Sequence, residues 1–312
     1  MLFLFKFLSV LPLWLMQGVG WLGGWLVYLG SGVYRRQFLV NVGQAQMGWR
    51  QWSGAVGAGG QLLAELPKLW FGPAPAVLWD GAEHIDVALA RSRGVIFLTP
   101  HLGCFEVTAQ AYAQRYGRAQ GKETGRPMTV LFRPPRKAWL IDLVNQARRR
   151  PGLDTAPTTL GGVKQLIKAL KHGDCVGLLP DQVPAAGQGI WSPFFGRDAY
   201  TMTLAVRLAL QTQSTLLFAW GERRSWGRGY QIHVSTLQSF GSANSVMGTI
   251  SERRAIARDK SSDRRLLTRD LEAAVQQVNL AMELLIRTCP QQYLWGYARY
   301  KAPPGTSPPA SR

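Results

Sequence analysis

Acidic residues are scarce in this chain. Eighteen Asp and Glu stand against 36 Lys and Arg, a net charge of +18 over 312 residues. Such an excess points to a polyanionic partner: nucleic acid, an anionic membrane surface or an acidic protein. Cysteine is scarcer still. Cys104, Cys175 and Cys289 are odd in number and form no CxxC pair, which excludes a disulfide framework and a zinc site and suggests a reducing compartment. No metal is expected. There is no GxSxG elbow, P-loop or HExxH, and no internal repeat. Histidine occurs only four times, so the place of each one matters.

Charge is missing altogether from Phe7 to Tyr34, before Arg35 and Arg36. A spanning helix needs roughly 20 apolar residues, and this stretch has the length. Pro12, Gly18, Gly20, Gly23 and Gly24 would kink or loosen it, so a helix lying partly in the interface is the alternative to a clean span. A cleaved signal peptide fits less well, because the run is long for an h-region and lacks a convincing A-x-A site. Residues 1–36 are expected to form a retained hydrophobic anchor helix. Several of the 12 tryptophans lie in it, where a membrane interface would hold them. The basic residues that follow put the body, residues 37–302, on the cytoplasmic side. Residues 303–312, within a Pro- and Ser-rich tail, should be frayed.

Within the body, Arg36–Phe71 reads as helix, stopped by Gly72, Pro73 and Pro75. Beyond it the pattern alternates. Strands are predicted at Gly94–Thr99, Met128–Phe132, Cys175–Leu179, Thr215–Trp220 and Tyr230–Leu237. Helices are predicted at Phe105–Tyr116, Trp139–Arg150, Leu160–Lys171, Thr203–Gln211 and Leu266–Ile286, and a polar loop at Gly117–Pro127. The fold class is α/β, a mixed, largely parallel sheet flanked by helices.

Parallel α/β sheets bind ligands at the carboxyl ends of their strands. There the sequence places His101 and Glu106, then Arg133 in "LFRPP", Asp181 and Gln182 in "GLLPDQ", and Glu222, Arg223 and Arg224 in "FAWGERR". On one continuous helix His101 and Glu106 would lie roughly 140° apart. They can meet if His101 sits in the strand-to-helix turn, Gly103 bends the chain, and Glu106 opens the helix. A carboxylate on Nδ1 would then free Nε2 to accept a proton, the layout of a general base with its orienter. Cys104 could be a nucleophile, but its apolar neighbours suit a buried thiol better.

"HLGCFE" fits the H-x4-D/E motif of glycerolipid-type acyltransferases. Together with "NV" at Asn41, "LFRPP", "GLLPDQ", "SPFFG" at Ser192–Gly196 and "CPQQYLWGYARYK", it resembles the lipid A late acyltransferases of Gram-negative bacteria, the lauroyl and myristoyl transferases. The resemblance covers nearly the whole chain. It departs at Glu106, where Asp is usual, and at Cys104–Phe105, where many members carry a more polar or Trp-containing pair. It implies a glycerolipid acyltransferase-like fold in the bacterial inner membrane. The implied reaction is transfer of a fatty acyl chain from acyl carrier protein to a hydroxyl of a lipid A precursor. Acyl carrier protein, the lipid A precursor and membrane phospholipid are the implied partners, with no cofactor and no covalent acyl-enzyme. On that basis His101 is the base, Glu106 its orienter, and Arg133 a phosphate or oxyanion ligand. Asp181 and Gln182 organise the rim, Asp181 by pairing with an arginine such as Arg133. Phe194, Phe195 and Gly196 form an acyl-chain wall, with a hydrophobic cover over the core as the alternative.

Other classes fit less well. An acyltransferase acting on a lysophospholipid or another glycolipid is the closest rival, and a catalytically silent membrane-binding protein is the next. Nucleic acid is not an expected partner, because the basic residues are dispersed and no recognition motif occurs.

Overall fold

A computed structural model describes residues 2–91, 93–117, 125–135, 137–148, 150–240 and 260–308. Five helices open the chain: α1 (Leu2–Val10), α2 (Leu13–Gly30), α3 (Gly32–Gln44), α4 (Trp49–Ala64) and α5 (Leu66–Phe71). The expected single anchor helix is therefore broken. Pro12 starts α2, Ser31 caps α3, and α1 and α2 bend by 117° at their junction. No single helix among the described residues is long and apolar enough to cross a membrane, although α1 and α2 together carry the apolar length.

The glycines that weaken α2 as a free helix have a packing role. Gly20 and Gly24 face Gly57 and Gly60 of α4, and a Cβ at Gly60 would collide with the Gly20 carbonyl. Small residues four apart let two backbones touch, the arrangement seen in close helix pairs. The outer faces of α1, α2 and α3 are apolar and bare: Phe3, Phe7, Val10, Trp14, Leu26 and Val33 are all exposed.

The α/β body follows. Its elements are β1 (Val77–Asp80), α6 (Ala82–Ala90), β2 (Val95–Leu98), α7 (Phe105–Tyr116), β3 (Met128–Phe132), α8 (Ala138–Arg148), β4 (Leu153–Pro157), α9 (Leu160–Lys171) and β5 (Cys175–Leu178). Then come β6 (Gly189–Phe194), β7 (Arg197–Met202), α10 (Leu204–Thr212), β8 (Thr215–Arg223), β9 (Tyr230–Thr236) and α11 (Lys260–Thr288). Seven strands pair in the order β1-β9-β8-β2-β5-β3-β4. All neighbours are parallel except β8 and β9. The two central strands, β2 and β5, are buried along their whole length and read as unbroken apolar runs, as a sheet covered on both faces requires. One face packs Phe97, Met128, Leu153 and Leu217 beneath α7 and α8. The other packs Ile96, Leu98, Val176 and Phe218 beneath α10 and α11.

The strands and helices expected from Gly94 onward are present, while Arg36–Phe71, expected as helix, is divided among α3, α4 and α5. Two short edge strands, β1 and β4, add to the expected set. "SPFFG" forms the end of β6 and the turn of the hairpin β6–β7. Its turn residues Phe195 and Gly196 have φ of +48° and +74°, the two positive values that a tight two-residue hairpin demands. Part of the expected polar loop, and residues 309–312 of the tail, lie outside the described residues.

Candidate active site

The candidate site grows from the ends of β2 and β5, neighbours paired in parallel register. Beyond β2 the chain turns at His101, and Gly103 adopts φ +60°. A side chain there would strike the Gly221 carbonyl of β8, so only glycine fits. Beyond β5 the chain reaches Asp181, which is 2% exposed.

His101 meets Asp181, not Glu106. The His101 ring Nδ1 lies 2.7 Å from Asp181 Oδ1, and the His101 backbone N–H donates to Oδ2 at 2.8 Å. The Tyr293 hydroxyl also donates to Oδ2, at 3.2 Å. With Nδ1–H turned to the carboxylate, Nε2 keeps its lone pair, and the Gln182 amide nitrogen approaches it at 3.0 Å. Burial alone would raise the Asp181 carboxyl. The His101 charge, both His101 hydrogen bonds and nearby Arg299 outweigh it and hold the carboxyl below its ordinary range. The expected pairing of Asp181 with Arg133 gives way to this contact.

Glu106 sits in the first turn of α7, as expected, but faces elsewhere. It accepts from Trp70 Nε1 at 2.9 Å, and from Arg148 Nε and Nη2 at 3.2 and 2.9 Å. The pairing of His101 with Glu106 is thus corrected. The helix carries Glu106 towards α5 and α8, and the aspartate of the neighbouring strand takes the imidazole. Phe105, not Glu106, touches His101, its ring edge-on at 4.8 Å.

A segment far along the chain clamps the turn. The Leu294 N–H donates to the His101 carbonyl and the Gly103 N–H to the Gln292 carbonyl, both at 3.0 Å. Asn41 in turn donates to the carbonyls of Trp295 and Tyr297. Sequence reasoning gave Tyr293, Gln292 and Arg299 no roles. The available signal was the block "CPQQYLWGYARYK", dense in buried aromatic and polar residues at a chain end where fraying is the rule.

His101, Gln182 and Arg133 open onto a cavity of about 760 Å³, within the usual range for small-molecule sites. Arg133 is exposed at its rim, and Glu106, Arg148 and Arg207 also line it. Phe194, Phe195 and Gly196 do not. Phe194 and Phe195 are core residues, packed against each other and covered by the guanidinium groups of Arg299 and Arg287. The acyl-chain wall expected of them is corrected to a hydrophobic cover.

The three thiols are buried. Burial raises the Cys104 thiol well above its ordinary value, and the neighbouring Glu65 charge adds to the effect. Such a thiol is not a ready nucleophile.

An α/β domain with a histidine–aspartate pair opening onto an apolar cavity at its strand ends is laid out for base-assisted group transfer to an apolar or amphipathic substrate. The family model for bacterial lipid A biosynthesis acyltransferases matches residues 60–302. The chain belongs to that family and is an acyltransferase. It is 24% identical over 253 residues to the lipid A biosynthesis lauroyltransferase of Escherichia coli K12, covering 78% of this chain and 70% of that protein. Its likeness to the palmitoleoyltransferase of the same organism is 24% over 250 residues, 78% and 69% of the two chains. It is also 24% identical, over 180 residues, to the phosphatidylinositol mannoside acyltransferase of Mycobacterium tuberculosis, covering 55% and 52%.

Proposed function

We propose that the protein transfers a fatty acyl chain from an acyl carrier protein thioester to a hydroxyl of a lipid A precursor. The observation that carries this is the imidazole itself. Its Nδ1 is held by a buried carboxylate while Nε2 faces a large cavity. The acceptor hydroxyl displaces the Gln182 amide from Nε2 and gives up its proton there. Its oxygen adds to the thioester carbonyl. The carbon–sulfur bond breaks, and the imidazolium returns the proton to the departing thiolate. Asp181 stabilises the imidazolium while it lasts, an arrangement whose base contributes roughly 10² to 10⁴-fold. Arg133 at the rim offers a charge for a phosphate group or for the developing oxyanion. The net charge of +18 suits an acidic carrier and a phosphorylated acceptor.

The site of action is the inner-membrane surface, the catalytic body on the cytoplasmic side. The bare apolar faces of α1, α2 and α3 support this by meeting phospholipid. An acceptor of another kind, a lysophospholipid or mannosylated glycolipid, is the second reading, favoured by the mycobacterial relative. The test uses the purified full-length chain, acyl carrier protein loaded with a fatty acid, and each acceptor in turn. A lipid A precursor heavier by one acyl group, absent with His101→Ala, is expected. Transfer to the other acceptors alone would replace this function with the second.

A further inference from the structure

The residues lining the cavity come from both faces of the sheet. Leu178, Val163, Leu204 and Arg207 belong to the face beneath α9 and α10, while Phe97, Met128, Val130, Leu153 and Ala109 belong to the face beneath α7. The cavity therefore passes over the carboxyl ends of β3 and β5 and has two lobes, with His101 and Arg133 near the crossing. The lobe beneath α9 and α10 adds Thr158, Thr159, Gln188, Thr203 and Arg207 to its apolar side chains. The lobe beneath α7 runs down the sheet past Phe97, Met128, Val130 and Leu153, with Thr108, Thr155 and the paired Glu106 and Arg148 also in its wall.

Gly177 lies in the floor of that second lobe. Phe97, Gly177, Val130 and Thr155 form one row across four strands, each paired in register with the next. The row sits four residues below His101, on the order of 10 Å down from the rim at the rise of a parallel strand. Glycine in a strand costs stability and commonly marks a close approach of backbone or ligand. For Gly221 in β8 the reason is backbone, since a Cβ would meet the Cys104 carbonyl at 2.8 Å. Gly177 has no such reason. A Cβ there would meet only side chains, Val130 Cγ2 at 3.3 Å and Met128 Sδ at 3.4 Å, with no backbone nearby and no positive φ. The fold does not demand this glycine, and its missing side chain leaves a trough in a row otherwise filled by Phe97, Val130 and Thr155.

We infer that the lobe beneath α7 holds the transferred fatty acyl chain and that Gly177, in its floor, sets how long a chain is accepted. The inference rests on the acyl-transfer function proposed above and assigns the two lobes: the chain under α7, the polar acceptor towards Arg207. A saturated chain needs no hydrogen bonds and fits Phe97, Met128, Val130 and Ala109, while the charges of Glu106 and Arg148 in the same wall are taken up by each other.

The test is the chain-length profile of the full-length protein. Gly177→Val raises the floor. Ala109→Leu narrows the same lobe from α7, where Ala109 is only half-buried. Thermal melting identifies which variants fold. Two readouts are taken over saturated chains of increasing length: transfer from the loaded carrier, and displacement of a fluorescent fatty acid, which needs no chemistry. Each methylene that loses its place in a pocket costs roughly 10-fold or more in discrimination. Both variants are therefore expected to lose the longest chains at least about 10-fold while handling the shortest within about 2-fold. An unchanged length profile in a folded Ala109→Leu protein overturns the assignment, whether or not Gly177→Val folds. Length-dependent displacement without any transfer by the wild type would keep the lobe and remove the proposed enzyme function, so the two failures are distinct.

Discussion

A histidine whose Nδ1 is taken by a carboxylate has one nitrogen left for chemistry, and which carboxylate takes it decides what a mutation does. Asp181 is the partner, so Asp181→Asn should lower kcat by roughly 10² to 10⁴-fold. Combined with His101→Ala it should cost little more than the worse single change, because the two act as one unit. Glu106 belongs to another cluster. Glu106→Gln leaves the Arg148 charge without its counterion in a half-buried place and should cost about 1–3 kcal/mol of stability, measured by denaturant unfolding. Its effect on kcat should be close to additive, in log terms, with that of His101→Ala. Asp181 also makes a pH prediction. Its folded carboxyl titrates below the ordinary 3.8. Its contribution is therefore fully present above that value and is lost as pH falls through the lower folded one. Acid unfolding curves of Asp181→Asn should show a shallower decline in that window than the wild type. The buried thiol predicts that Cys104→Ala keeps most of its activity, with initial-rate plots that intersect; parallel plots would signal a covalent intermediate.

At the scale of elements, the central strands and their helices were legible because burial on both faces writes itself as unbroken apolar runs such as Val95–Leu98. The turn at Gly103 was legible too, since little else than glycine permits it there. The partner of His101 was not. Closeness in sequence favoured Glu106, but helix geometry turned that side chain away, and only strand order brings Asp181 alongside. The same limit hid the role of the segment at 290–297, which is distant in the chain yet holds the turn. The N-terminal glycines were read as weaknesses in a span because a helix seam needs both partners in view. That seam makes its own prediction. Gly60→Ala inserts a methyl group between α2 and α4 and should cost about 1–3 kcal/mol by overpacking, read as a fall in melting temperature. Gly18→Ala, with nothing near it, should be neutral or slightly stabilising.

Across the whole molecule, the helices with bare apolar faces are tied to the site end of the sheet by a buried ion pair. Arg223, the last residue of β8, binds Glu65 through Nε at 2.9 and 3.0 Å, and Gln17 of α2 donates to the same carboxylate at 2.8 Å. The next link is Gln292, whose side chain bonds both backbone groups of Arg223 while its carbonyl holds Gly103. An apolar surface backed by a strongly basic chain should bind anionic vesicles. Replacing Phe3, Phe7 and Val10 together by Ser should weaken that binding by at least about 10-fold, seen by co-sedimentation. The most direct test of the central claim is mass spectrometry of lipid A from cells carrying the intact gene, no gene, or the gene with His101→Ala or Asp181→Asn. The expected result is a species lacking one acyl chain in the deletion, restored by the wild type and by neither variant. Full restoration by His101→Ala, or lipid A of identical mass with and without the gene, would contradict it.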